Sequence, residues 1–354
     1  MMRGMPVSVR ADLAGLPDYV AGRKIAGAVI LSSNEMSTPA PASVLAAITE
    51  AAVGVNRYPA MASEDLISRI SRHLDVDEDR IAPGCGSVSI CQQVIQAMCN
   101  DGDEVVFAWR SFEAYPIVSQ IAGALGIRVP LTAEYGLDLE AMLAAITDAT
   151  RVVFVTNPNS PTGTALRTAE LTDFLDRVPD SVLVVLDEAY REFVTDPNVP
   201  DGLDLARERD NVAVARTFSK AYGLAGVRVG YAVAPPHVAA AIRRVGIPFA
   251  VNRIAQAAAI AAMDAADELL ARCVPVTRER ERVTAALRDA GYEVPASQAN
   301  FVWLPLGDRT AAFNEHCLER KVVIRAFVGD GARITIGLPE ENDAFLAAAL
   351  DFSG

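Results

Sequence analysis

The chain is poor in lysine. Of its 32 basic residues only three are lysines, Lys24, Lys220 and Lys321, so arginine carries nearly all the positive charge. Histidine is as scarce, with three residues at 73, 237 and 316, and this leaves little material for a zinc site or for Ser-His-Asp catalysis. The five cysteines (85, 91, 99, 273 and 317) make an odd set without a Cys-x-x-Cys pair. That pattern argues against a disulfide framework and for reduced, mostly buried thiols in a cytoplasmic protein. No apolar stretch reaches the ~20 residues of a membrane span, and Met1–Val9 offers no apolar core of signal-peptide length. A formal charge of −13 removes the broad basic face that a nucleic acid or an anionic membrane would need. Neither partner is expected.

What is present is a large apolar fraction. Half the residues are hydrophobic and 22% are charged, in a chain of 354 residues. That exceeds the ~250–300 residues of a single core, so two domains are expected. Residues 1–35 read as an irregular arm containing Tyr19 and a short apolar run at Ala28–Leu31. Helical patterns follow at 39–53 and 63–74. From Ile81 short apolar runs alternate with amphipathic segments, the signature of βαβ units and a largely parallel sheet. Strands are predicted at 104–108, 126–131, 151–156, 181–186, 211–215 and 227–234, with helices at 88–99, 113–125, 139–146 and 168–178. Beyond about residue 245 the texture shifts to longer helices (253–273, 276–290, 310–319, 341–350) and short strands (300–304, 322–325, 333–337). The reading is an α/β protein with an arm (1–35), a large domain (36–245) with a mostly parallel sheet flanked by helices, and a smaller α+β domain (246–354).

Five constellations could carry chemistry. The first is Thr217-Phe218-Ser219-Lys220-Ala221-Tyr222-Gly223-Leu224-Ala225-Gly226-Val227-Arg228, a glycine- and hydroxyl-rich turn between apolar runs. Lysine can do what arginine cannot, lose its proton and form a Schiff base, although a solvated turn lysine fits the stretch equally well. Thr217, Ser219 and Arg228 could hold a phosphate beside that amine. The second, Gly84-Cys85-Gly86-Ser87, precedes a helix, and a helix N-terminus behind glycines suits an anion. It lacks the third glycine of a dinucleotide fingerprint and the Gly-Lys-Ser/Thr of a nucleoside-triphosphate loop. The third, Asp187-Glu188-Ala189-Tyr190, ends an apolar strand where α/β sheets bind ligands. Asp187 there could pair with a buried cation or simply cap a helix. The fourth, Asn157-Pro158-Asn159-Ser160-Pro161-Thr162-Gly163, is a rigid loop at another strand end. In the fifth, Arg325 and Arg333 lie on apolar strands and could present partly buried guanidinium groups to a carboxylate, or mark surface strand ends. Together these ask for one ligand with a phosphate, an aldehyde for Lys220 and a ring nitrogen for Asp187. Pyridoxal 5′-phosphate meets all three demands.

With these motifs in combination, the sequence resembles the fold-type I pyridoxal-phosphate aminotransferases, and within them the histidinol-phosphate and aromatic aminotransferase subgroup, from Tyr19 to Glu341. The resemblance implies that Lys220 forms the Schiff base with the cofactor and shuttles a proton. It implies that Asp187 pairs with the pyridinium nitrogen, Tyr190 bonds the phenolic oxygen and Phe112 stacks on the ring. Gly86, Ser87, Thr217, Ser219 and Arg228 match phosphate contacts, and Val88 could contribute only through its backbone. Tyr58 matches a tyrosine that the family lends to the neighbouring subunit, which implies a homodimer with shared sites. Arg333 matches the arginine for the substrate α-carboxylate, with Arg325 beside it, and Tyr19 and Asn34 match the arm that closes over substrate. Where the family usually has asparagine directly before Pro-Thr-Gly, this chain has Ser160 preceded by Asn159, so either could reach the cofactor. Only seven residues separate Arg325 from Arg333. That short segment tilts the expected activity toward transfer of an amino group from an aromatic amino acid to a 2-oxo acid. Histidinol-phosphate aminotransferase is the near alternative, and a pyridoxal-phosphate lyase such as a decarboxylase the more distant one.

Overall fold

The computed structural model describes residues 7, 10–16 and 25–353. Tyr19 lies outside the described residues. The stretches Val105–Ala108, Val152–Val155, Leu183–Leu186 and Val212–Ala215 are buried throughout, as parallel strands covered on both faces must be. In chain order the elements are β1 (Val29–Leu31), α1 (Ala42–Ala52), α2 (Glu64–Leu74), β2 (Ile81–Gly84), α3 (Ser87–Met98), β3 (Glu104–Trp109), α4 (Ala114–Ala122) and β4 (Leu125–Pro130). Then come α5 (Leu139–Ala144), β5 (Thr150–Thr156), α6 (Thr168–Arg177), β6 (Leu183–Asp187), α7 (Gly202–Arg207), β7 (Val212–Thr217), β8 (Gly230–Val233) and α8 (Pro236–Val245). The chain continues through α9 (Arg253–Asp264), α10 (Ala266–Ala271), α11 (Cys273–Asp289), β9 (Phe301–Leu304), α12 (Thr310–Glu319), β10 (Val322–Phe327), β11 (Gly331–Thr335) and α13 (Pro339–Leu350).

Seven strands form one sheet in the order β2-β8-β7-β6-β5-β3-β4. Five of them, from β7 to β4, run parallel, and β8 is antiparallel to both β7 and β2. One face packs against apolar residues of α1, α2, α5, α6, α7 and α9. The other packs against α3, α4 and α8. This is the mostly parallel α/β sheet that the alternating pattern predicts. A second sheet, in the order β1-β10-β11-β9, packs on α11, α12 and α13. No helix among the described residues is long and apolar enough to cross a membrane.

Four details differ from the sequence expectations. The strand β2 is additional, and its Pro83 is tolerated because β2 is an edge strand. The strand β8 begins only at Gly230, because residues 223–229 form a turn in which Arg228 takes φ +67°. The helix expected at 253–273 breaks at Ala265, inside alanine-rich sequence with no glycine or proline to mark the break. The apolar run expected within the arm pairs parallel with β10, Val29 to Val322 and Leu31 to Ile324. The arm is thereby tied to the second sheet.

Candidate active site

Parallel pairing sets the site's position. Because β3, β5, β6 and β7 run the same way, their C-terminal residues Trp109, Thr156, Asp187 and Thr217 line one edge of the large sheet. Antiparallel β8 starts at that edge and β2 ends there, since Gly230 pairs with both Thr217 and Gly84. The loops carrying Gly86, Phe112, Ser160, Tyr190 and Lys220 therefore all leave from the same side, where α/β sheets bind ligands.

At the β2–β8 end the backbone and an arginine make a cradle. Gly86, at φ +82°, precedes α3, and no side chain caps the helix, so the Ser87 and Val88 N–H groups at its start meet no capping side chain. A β-carbon on Gly86 would come within 2.4 Å of Arg228 Nη2, and one on Gly230 within 2.9 Å of the Ser87 amide nitrogen. Both positions need glycine for close approach. Arg228 donates to Ser219 Oγ (3.3 Å) and to the Ala225 carbonyl (2.8 Å), and the Ser219 amide donates to Thr217 Oγ1 (3.1 Å). Gly86, Ser87, Thr217, Ser219 and Arg228 thus meet at one helix N-terminus. Val88, the second residue of α3, brings no polar side chain to it.

Asp187 and Glu188 are both 2% exposed, yet their circumstances differ. Glu188 accepts from Arg216 (2.7 and 3.0 Å) and from the Gly202 amide (2.7 Å). Asp187 Oδ2 accepts only from Tyr115 Oη at 2.7 Å among side chains, and Oδ1 has no partner among the described residues. Burial raises the Asp187 pKa against the opposing effects of the Tyr115 bond, the Ala189 amide and the Lys220 charge. Tyr115 also meets Thr156 Oγ1 at 2.8 Å, and Ser111 joins Thr156 to Asn159. Phe112 stands edge-on to Tyr115, with ring centroids 5.5 Å apart.

Lys220 Nζ donates to the Ser33 carbonyl (2.9 Å) and lies 5.8 Å from the centroid of the Tyr190 ring. Burial lowers its pKa, assisted by the Arg333 and Arg228 charges and opposed by Tyr190 and Glu35. Burial by itself would raise the Tyr190 phenol. The Lys220 and Arg333 charges and hydrogen bonds from Asn34 and Ser160 outweigh it and hold the phenol below its ordinary value. Asn34 Nδ2 donates to Tyr190 Oη at 2.8 Å. Asn34 is itself clamped: its amide nitrogen donates to Thr335 Oγ1 (2.9 Å), whose hydroxyl donates back to Asn34 Oδ1 (3.0 Å), and Asn300 donates to its carbonyl.

Arg333 reaches into the same space from β11. It donates to Ser160 Oγ (3.0 Å) and to the Ser32 carbonyl (2.9 Å), while its Nε is buried without a partner. Arg325, its register partner on β10, is paired with Glu113 at 2.8 Å. Of the two candidates before Pro161, Ser160 meets Arg333 and Tyr190, whereas Asn159 is consumed by Ser111, Thr162 and the Arg110 carbonyl. Tyr58 is not part of this cluster. It is 78% exposed and stacks on Phe249 at 4.5 Å. Sequence reasoning did not single out Tyr115, Thr156, Thr335, Asn300 or Glu113. Each is a common residue type, and only folding brings it to the site.

Residues 26–350 match the model of the aminotransferase class I and II family, and the chain belongs to that family. It is an aminotransferase. It is 58% identical to a protein of Rhodococcus jostii (strain RHA1) named aromatic amino acid aminotransferase, over 98% of this chain and 96% of that one. A protein of the same name from Streptomyces coelicolor is 54% identical, over 97% of each chain. Among solved structures, histidinol-phosphate aminotransferase from Sinorhizobium meliloti in complex with pyridoxal-5′-phosphate superposes with a TM-score of 0.88 at 29% identity, covering 98% of both chains.

Proposed function

We propose that this aminotransferase uses pyridoxal 5′-phosphate to move the amino group of an aromatic amino acid to a 2-oxo acid, as a cytoplasmic homodimer. The observation that carries the reading is Asp187 Oδ1, a buried carboxylate oxygen without a donor at the end of β6, in the same site as Lys220 and Arg333. A buried carboxylate oxygen without a donor is costly, and a protonated ring nitrogen is the partner it lacks. The cradle at Gly86 and Arg228 fits a phosphate, so the residues present fit the cofactor. When bound, pyridoxal 5′-phosphate supplies an aldehyde that condenses with amines and a ring that draws electron density from a substrate α-carbon. Gly86, Ser87, Thr217, Ser219 and Arg228 would hold its phosphate, Asp187 its ring nitrogen, Phe112 its ring face, and Tyr190 with Ser160 its phenolic oxygen.

The remaining chemistry belongs to the chain. Lowering the Lys220 pKa increases the fraction of neutral amine, the form that can act as a nucleophile and take up a proton at Nζ. Arg333, aimed by Ser160 and the Ser32 carbonyl, offers its fork to the α-carboxylate. Asn34 orients the Tyr190 hydroxyl. The aromatic substrate class is supported by the names of relatives more than half identical to this chain, and by the short segment between Arg325 and Arg333. The dimer is supported by exposed Tyr58 in the company of exposed Val53, Val55, Met61 and Ile247. The cytoplasmic setting is supported by five free cysteines.

Steady-state comparison tests the reading. The purified protein should carry the long-wavelength absorbance of lysine-bound cofactor and show a higher kcat/KM for phenylalanine than for histidinol phosphate. Lys220→Ala should abolish both the band and turnover. A Lys220→Ala protein that matches wild type, or a preference for histidinol phosphate, contradicts it.

A further inference from the structure

The helix α11 carries a cation in its buried stripe. Cys273, Thr277, Arg280, Val283 and Leu287 are its buried residues, at the spacing of one helical face. Arg278 and Arg282 on the same helix are exposed, whereas Arg280 is 3% exposed. Its guanidinium meets no carboxylate among the described residues. Nη1 donates to the carbonyls of Phe193 (3.1 Å) and Ala299 (2.9 Å), and Nη2 to Thr195 Oγ1 (3.2 Å). Burial pushes its pKa down, with only the Glu281 charge opposing. A buried charge without an anion costs stability that an apolar residue would not.

The bonds of Arg280 close a ring that runs through the active site. The Phe193 amide donates to the Tyr190 carbonyl at 3.1 Å. On the other side, Ala299 is followed by Asn300, whose Nδ2 donates to the Asn34 carbonyl at 3.1 Å. Asn34 Nδ2 donates to Tyr190 Oη at 2.8 Å, which returns the path to its start. Every member is buried, and Phe301 stands edge-on to the Tyr190 ring at 5.1 Å. We infer that Arg280 is a positioning residue for Tyr190: by fastening the turn behind the tyrosine to the segment that carries Asn300, it fixes the phenol against Asn34. Because Tyr190 Oη accepts from Asn34, its own proton stays free to be donated to the phenolic oxygen of the cofactor. A turn released from Ala299 lets the hydroxyl drift from that direction. Arg280 touches no reacting atom. Its role rests on the Tyr190 contact in the proposed function and deepens it.

The test is an absorbance titration of the lysine-bound cofactor in the holoenzyme, with urea unfolding measured alongside. Wild type is compared with Arg280→Lys, Arg280→Met, Asn34→Gly and the Arg280→Met/Asn34→Gly double variant. Glycine at position 34 removes the side-chain amide and accepts the backbone φ of +55°. A phenol that donates to the phenolic oxygen favours the deprotonated form of the bound cofactor, so losing that donor raises the apparent pKa of the band. Arg280→Met should raise it by about half a unit or more, Asn34→Gly by about the same, and the double variant by no more than either. Arg280→Lys keeps the charge and fewer of the bonds, so it should shift the band the same way by less, and it carries the test if the methionine variant does not fold. A band pKa unmoved in a folded Arg280 variant, whatever its loss of stability, or shifts that add in the double variant, overturn the inference. A wild type without the band removes the proposed function and this role together, whereas a normal band in wild type with unmoved variants removes this role alone.

Discussion

Asp187 and Glu188 are neighbours in sequence and equally buried, and one hydrogen-bond difference separates their roles. Glu188 is satisfied by Arg216 and Gly202, while Asp187 keeps one buried oxygen without a partner. Their replacements should therefore fail in different ways. Asp187→Asn should retain the fold and lose kcat/KM on the order of 100-fold or more, because a preorganised charge is removed from the site. Glu188→Gln should leave Lys220 competent and cost about 2–3 kcal/mol of stability, because it removes one of the two carboxylates that pair with buried Arg216. Parallel denaturation curves and kinetics separate the two outcomes. Lys220 and Asp187 were legible in the sequence because each is unusual where it stands, a rare lysine in a glycine-rich turn and a carboxylate ending an apolar strand. Tyr115 and Thr335 were not. A tyrosine inside a helical pattern and a threonine inside a strand are ordinary, and their hydrogen bonds to Asp187 and Asn34 exist only once distant segments meet.

At the level of elements, the short turn Arg191–Phe193 after Tyr190 carries a pH signature. Burial pushes the Glu192 carboxyl up to about 7, against the pull of Arg216 and in concert with the Glu188 charge. The unfolded value is 4.5. Between these values the folded state binds more protons than the unfolded one, so stability falls as pH rises from about 4.5 to about 7 and then levels off. Glu192→Gln should remove that slope and be more stable than wild type above pH 7, by about 1–2 kcal/mol. Urea unfolding at pH 5 and pH 8 checks the sign; a variant less stable than wild type at pH 8 would refute it. The parallel strands β3, β5, β6 and β7 were legible because burial on both faces demands continuous apolar runs. The edge strand β2 is hidden by its proline, and β1 shows in the sequence only as the short apolar run Ala28–Leu31, too brief to mark a strand. The start of β8 was misplaced because Val227 and Val229 continue an apolar pattern through a turn that Arg228 bends at positive φ.

For the whole molecule, the alternation of strands and helices was enough to read the large sheet, but not the way the arm joins the second sheet through β1 and β10. That join is a contact between segments some 290 residues apart, and no local pattern encodes it. The exposed stretch around Tyr58 belongs to this scale too. Sedimentation should give twice the chain mass of 37.6 kDa, and Tyr58→Ala should remain a dimer with weaker cofactor retention. A monomeric, fully active wild type would contradict the shared site. The central claim, amino transfer from an aromatic amino acid at Lys220, is tested most directly by a single half-reaction. Holoenzyme is mixed with excess phenylalanine and no acceptor, and the 2-oxo acid formed per site is measured. The account predicts one equivalent of phenylpyruvate per site in wild type and none in Lys220→Ala. Carbon dioxide release without phenylpyruvate, or product from the Lys220→Ala protein, would contradict it.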